Sequence, residues 1–190
     1  MIPAPIHPLN THGRPIILIG LMGCGKTTVG KALSKRTGMP LLDTDAIIEE
    51  QIGCPIPQIF AEKGEAHFRA LETALLRYLL DNPPLTPSII STGGGIVVRE
   101  ENRALLRKLG FTVWLNVSIS ALLKRTARST NRPLLQNTDR RAVLTRLDQE
   151  RRAFYKDAAH LWLEASHMDV NSVAVRVCAE AEKFFDASQN

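Results

Sequence analysis

Apolar residues in this chain follow two alternating rhythms. Short unbroken runs, which read as buried strands, alternate with stretches where apolar residues return every three or four positions, which read as amphipathic helices. "PIILIG" (15–20), "MPLLDTD" (39–45), "SIIST" (88–92), "FTVWLNV" (111–117) and "HLWLEA" (160–165) predict five strands. Between them, "KTTVGKALSKRTG" predicts a helix ended by Gly38, and "AIIEEQIG" a second one closed by Gly53. "IPQIFAEKG" predicts a short helical piece. Residues 65–80 give the clearest helix, with Phe68, Leu71, Leu75 and Leu79 on one face and Arg69 off it. Further helices are predicted over "REENRALLRKLG", over "SISALLKRTA" with its serine N-cap, over residues 140–159 and over "NSVAVRVCAEAEKFF".

Strands that alternate with helices imply a parallel sheet with helices on both faces, an α/β fold of three layers. "DNPPLTP" must be a loop. Residues 128–139, "RSTNRPLLQNTD", are polar and irregular between two helices, and predict a mobile lid or an ordinary surface loop. Residues 1–15 are proline-rich and predict a flexible leader, followed by a single domain over 16–186. No internal repeat appears.

Composition narrows the function classes. The chain has 190 residues, enough for one domain with a sizeable core, and its net charge of +5 suits an anionic ligand. Aromatic residues make up 5%, too few for a surface that stacks nucleic-acid bases, and no basic tail is present. The three cysteines, Cys24, Cys54 and Cys178, have no paired or metal-ligand spacing, which fits a reducing compartment. No apolar run reaches membrane-span length, and the leader lacks the core of a secretory signal. A cytoplasmic protein with no nucleic-acid or membrane partner is expected.

"GLMGCGKT" has the spacing of a phosphate loop, between a predicted strand and a predicted helix. Glycines let backbone N–H groups turn inward around an anion, and the helix N-terminus adds partial positive charge. The residues from Gly23 through Cys24, Gly25, Lys26 and Thr27 to Thr28 form the expected nucleotide site, with Lys26 reaching the outer phosphates and Thr27 placed for Mg²⁺. Cys24 reads as a small tolerated residue. Asp43 and Asp45 lie two apart at the end of the second strand. They are candidates for holding Mg²⁺ and for accepting a hydroxyl proton, and Asp45 also reads as a helix cap. Arg69 has Glu65 and Glu72 at helical spacing, so both can hold its guanidinium; a solvated helix pair is the default reading, and a ligand site the alternative. Gly93, Gly94 and Gly95 form a second glycine cluster with no need to cradle ATP.

These motifs in order, "GLMGCGKTT", "DTDAIIEEQIGCPIPQIFAEKGEAHFRALE", "STGGGIVV", "RPLL" and "ERRAFY", resemble the shikimate kinases of the P-loop kinase group over nearly the whole chain from Ile16. The resemblance implies a P-loop NTPase fold like that of nucleoside monophosphate kinases, with a five-stranded parallel sheet and a lid. It implies ATP as co-substrate with Mg²⁺, and phosphorylation of the shikimate 3-hydroxyl in aromatic amino acid biosynthesis, by a monomer. By the same resemblance Lys26, Asp45 and Arg132 are catalytic, and Thr27 and Asp43 serve the metal. Asp45, Arg69, Gly93, Gly94, Gly95 and Arg151 bind shikimate, with the shikimate-binding region over about 43–80. Arg125 flanks the base, and Arg132 swings in with the lid. Arg151 is aligned by its distance from Tyr155, with Arg152 as its rival. "ASHMDVNSVAV" lacks the proline common near the adenine, so no contact is assigned there. Gly94→Ala is expected to impair shikimate binding more than ATP binding. The alternative is another small-molecule kinase, such as one for gluconate.

Overall fold

The computed structural model describes residues 9–127 and 139–187. Five strands form one sheet: β1 (Ile16–Ile19), β2 (Leu41–Asp43), β3 (Ile89–Ser91), β4 (Phe111–Asn116) and β5 (Leu161–Glu164). Their order is β2-β3-β1-β4-β5, and every pairing is parallel. All four residues of β1 are fully buried, as a central strand covered on both faces requires. Burying each such side chain stabilises the fold by about 1.5–3 kcal/mol.

The helices are α1 (Lys26–Thr37), α2 (Thr44–Ile52), α3 (Ile56–Asp81), α4 (Glu100–Leu109), α5 (Ile119–Thr126), α6 (Arg140–Ala158) and α7 (Val170–Ala187). α1 packs on α7 at one face of the sheet, while α4 and α6 pack together at the other. This is the expected three-layer α/β/α arrangement. Gly38 and Gly53 end α1 and α2 in the left-handed conformation, as predicted. None of the described helices is long and apolar enough to cross a membrane.

The two helical pieces expected on either side of residue 64 are one run, α3, bent at Gly64. Its φ of 79° and ψ of 168° are non-helical. Only glycine adopts that backbone readily, so the bend is written into the sequence at this position. It re-aims the C-terminal part of α3, which carries Arg69 and Glu72.

Two expectations need correction. Asp45 is not on the second strand: β2 stops at Asp43, and Asp45 sits in the first turn of α2. Asp43 is the N-cap of that helix, accepting from the Asp45 and Ala46 amides, because its short carboxylate meets free N–H groups at the helix start. The second half of the expected leader is packed rather than loose. Leu9 and Thr11 are buried, and the Arg14 guanidinium bonds the Lys108 carbonyl and lies over Phe184. The greater part of the expected lid, including Arg132, lies outside the described residues.

Candidate active site

β1 runs into the glycine loop and α1 continues from it, so the loop lies at the C-terminal edge of the sheet. Gly20, Gly23 and Gly25 have φ of 141°, 84° and 102°, which turns the backbone back on itself. Lys26 Nζ lies inside this turn, donating to the Gly20 carbonyl at 2.8 Å and the Leu21 carbonyl at 3.2 Å. Cys24 Sγ is 3.8 Å from the same Nζ, and Cys24 is buried, as a small residue filling the turn would be.

Thr27 Oγ1 is 3.4 Å from Asp43 Oδ2 and 3.3 Å from Ser91 Oγ. Asp43 thus divides its two oxygens: one caps α2 and the other faces the phosphate loop. Ser91 was not singled out from the sequence. It ends β3 directly beside Asp43 in the sheet register and beside Leu18 on the other side. Its position depends on strand order, which no local motif carries.

A cavity of about 700 Å³ opens between the two glycine clusters. Lys26, Thr27, Asp43, Asp45, Gly93 and Gly94 line it on one side, with Arg125 toward the other end. The Arg125 guanidinium donates to the Cys24 carbonyl at 3.0 Å and the Ala165 carbonyl at 2.9 Å. It therefore ties the phosphate loop to the segment after β5. Met168, Asp169, Val170 and Val173 of that segment and α7 also line the cavity. They were left unassigned in the sequence, where their nearest signal is Asp169, the cap of the Asn171 and Ser172 amides.

Beyond Asp45 the site becomes a buried charge cluster. Arg69 was expected off the apolar face of its helix, yet it is 9% exposed and Glu72 is fully buried. Arg69 Nη1 bonds Glu72 Oε2 at 2.8 Å, while Nε and Nη2 share Glu65 Oε1 at 3.1 and 2.8 Å. The Phe60 and Phe68 rings lie under the same guanidinium. These partners desolvate Arg69 and fix its plane, where a surface pair would leave it mobile.

Two carboxylate oxygens in this cluster, Asp45 Oδ1 and Glu72 Oε1, are buried without a hydrogen-bond partner. Burial pushes Asp45 up to about 6, reinforced by Asp43 and opposed by Lys26 and Arg69. Burial likewise pushes Glu72 up to about 7 against the opposing charge of Arg69. Buried polar atoms left open next to a cavity are where a polar ligand gains most.

The three glycines form the floor between these parts. A Cβ on Gly93 would stand 2.6 Å from Asp45 Oδ1, and one on Gly95 would collide with the Arg69 guanidinium. A Cβ on Gly94 would face the other way, 3.3 Å from the Gly20 carbonyl and the Met22 amide. The Gly94 carbonyl accepts from Tyr155 Oη at 2.6 Å and from Arg151 Nη1 at 3.3 Å. Arg152 turns elsewhere, to Asp148 and Asn116 and over the Trp114 ring. Of the two adjacent arginines, Arg151 is the one brought to the cluster.

A phosphate loop and its lysine at the C-terminal edge of a parallel five-stranded sheet, sharing one cavity with Asp43 and Asp45, make this a P-loop kinase. Comparison with known proteins gives the particular family. The family model described as "Shikimate kinase" matches residues 22–182. A shikimate kinase from Marinomonas sp. is 43% identical over 162 residues, covering 85% of this chain and 88% of that protein. One from Chromobacterium violaceum is 42% identical over 160 residues, covering 84% and 85%. The solved structure of an Acinetobacter baumannii shikimate kinase in complex with shikimate superposes with a TM-score of 0.79 at 36% identity, covering 86% of this chain and 90% of that one. The chain belongs to the shikimate kinase family. A gluconokinase from Sinorhizobium meliloti shares the fold at 16% identity and a TM-score of 0.63, a likeness of fold alone.

Proposed function

We propose that this protein transfers the γ-phosphate of ATP to the 3-hydroxyl of shikimate, giving shikimate 3-phosphate and ADP. The observation that carries the reading is a phosphate loop that shares one cavity with Asp45, a carboxylate with the buried Arg69–Glu72 pair close behind it. A guanidinium held in a fixed plane suits a planar carboxylate, and shikimate carries one on a ring otherwise bearing hydroxyls. The family relationship supports the same substrate.

Each residue then has a task. Lys26 exchanges its loop carbonyls for the outer phosphate oxygens, and the backbone from Gly23 to Thr28 encloses them. The base lies between Arg125 and the segment from Ala165 to Val173. Arg69 and Arg151 hold the carboxylate of the acceptor, and Gly93 and Gly95 leave the room that the Asp45 carboxylate and the Arg69 guanidinium occupy beside it. Asp45 accepts the proton of the 3-hydroxyl as that oxygen bonds to phosphorus and the bond to ADP breaks. Arg132, outside the described residues, is assigned by the family resemblance to the phosphates, where positive charge stabilises the transition state.

Thr27 and Asp43 suit a hard divalent cation, since both offer oxygen, and among the described residues no group of three His, Cys, Asp or Glu could hold an ion alone. Such a site takes the rest of its ligands from phosphates and water, as Mg²⁺ does. When bound, Mg²⁺ neutralises phosphate charge. A coupled assay of ADP release with ATP, Mg²⁺ and shikimate tests the reading. Turnover with shikimate and none with gluconate is expected, and the reverse would overturn it.

A further inference from the structure

Tyr155 has no part in the chemistry above, yet it is fully buried beside the site. Its ring stacks on Trp114 of β4, with centroids 5.6 Å apart and planes 18° from parallel. Its hydroxyl donates to the Gly94 carbonyl at 2.6 Å. Burial holds the phenol protonated against the opposing pull of Arg151, so it remains a donor across the working pH range. The Gly94 carbonyl also accepts from Arg151 Nη1, at the longer distance of 3.3 Å.

Three consecutive glycines have no side chains to anchor them, so their peptide planes are set by a few hydrogen bonds. On one side, the Gly93 amide donates to Thr44 Oγ1 at 3.2 Å. On the other, Tyr155 makes the shortest bond to the cluster. A carbonyl has two acceptor sites, and Tyr155 fills one of them. Arg151 touches the second with one N–H and also hydrogen-bonds the Tyr155 hydroxyl, so carbonyl, phenol and guanidinium form one linked set.

We infer that Tyr155 is a positioning residue: its hydroxyl pins the Gly94 carbonyl and thereby sets the direction in which Arg151 presents its guanidinium to the acceptor. Without the hydroxyl the carbonyl is left to Arg151, which is drawn down onto the glycine floor and away from the substrate. The inference rests on the reading of shikimate as acceptor, and it adds the means by which one turn of α6 couples Tyr155 to Arg151.

The test is a double-mutant cycle on the full chain, using Tyr155→Phe and Arg151→Ala. Phenylalanine keeps the ring on Trp114, and thermal unfolding together with the KM for ATP reports that the fold is intact. Tyr155→Phe is expected to raise the KM for shikimate about 3- to 10-fold, the range of one oriented hydrogen bond, with the KM for ATP within about twofold. In the Arg151→Ala background the same change is expected to leave the shikimate KM where it is. An unchanged KM in Tyr155→Phe beside an active wild type overturns the inference. So does an equal rise in both backgrounds, which would mark Tyr155 as packing alone. A wild-type chain that does not phosphorylate shikimate overturns the functional reading, and the inference with it.

Discussion

Gly95 lies directly against the Arg69 guanidinium, with no space between them for a methyl group. The contact explains why an arginine can be so deeply buried at this point. A side chain at 95 would occupy the volume that the guanidinium fills. Gly95→Ala is therefore expected to displace Arg69 from Glu72 and raise the KM for shikimate at least as much as Arg69→Lys does, with little change in the KM for ATP. Steady-state kinetics with each substrate varied in turn checks this, and an unaltered shikimate KM would refute it.

The middle glycine is expected to behave differently from its neighbours. From the sequence alone, Gly94→Ala should weaken the acceptor more than ATP. The structure directs its Cβ at the backbone of Gly20 and Met22 instead, at 3.3 Å, which is too close without a shift of the phosphate loop. Gly94→Ala is now expected to raise the KM for ATP, whereas Gly93→Ala, pressed against Asp45 Oδ1, should act on the acceptor and on kcat. Comparing the two variants by their KM ratios decides between a divided floor and a uniform one.

That reversal shows where the sequence was legible. Strand and helix identities follow from periodicity, and the bend at Gly64 from a glycine at a predicted boundary. The phosphate loop follows from a motif whose physical purpose fixes its spacing. What local pattern did not carry is which side chains lie opposite one another across the sheet. Ser91 meets Thr27 and Asp43 because β3 lies between β1 and β2, an order that no single segment encodes. Arg69 was placed off the apolar face of its helix, because helical spacing does not reveal that a glycine cluster will cover it. Asp45 was placed on a strand for a similar reason: Asp43 caps the helix two residues earlier than the apolar run suggests.

Lys26 is the most severe test of the nucleotide side. Its ammonium group already lies within the loop, bonded to Gly20 and Leu21, so the site is built around a cation. Lys26→Ala is expected to reduce kcat by a factor on the order of 10³ or more, as loss of a charge aimed at the transferring phosphoryl group does. Tm should change far less than kcat, because Lys26 is only half-buried and stands at the cavity wall. A near-normal rate would remove the loop from the mechanism.

Breaking the buried pair should weaken both stability and acceptor binding. Arg69→Ala leaves Glu72 fully buried without its cation, and such losses cost about 3–5 kcal/mol. Glu72→Gln keeps the shape and one acceptor, and is expected to be the milder change. Urea unfolding of both variants, alongside shikimate affinity by calorimetry, checks the order. A Glu72→Gln protein less stable than Arg69→Ala would contradict it.

The pH dependence of stability should carry the sign of a raised carboxyl. Glu72 lies near 4.5 when unfolded and about 7 when folded, so between these values the native state binds more protons than the unfolded chain. Its contribution is therefore present at low pH and lost as pH rises through 7, and Asp45 acts alike up to about 6. His160 works in the opposite direction. Burial holds it down to about 4, with Arg107 and Arg14 adding to the effect, so stability is lost as pH falls below its ordinary 6.5. The raw curve mixes these effects, and the difference between wild type and Glu72→Gln isolates one of them. The wild type should lose stability relative to the variant as pH is raised from about 4.5 to 7, then run parallel to it above about 8. A difference that grows toward acid pH in the variant's favour would mean that Arg69, and not burial, governs the Glu72 carboxyl.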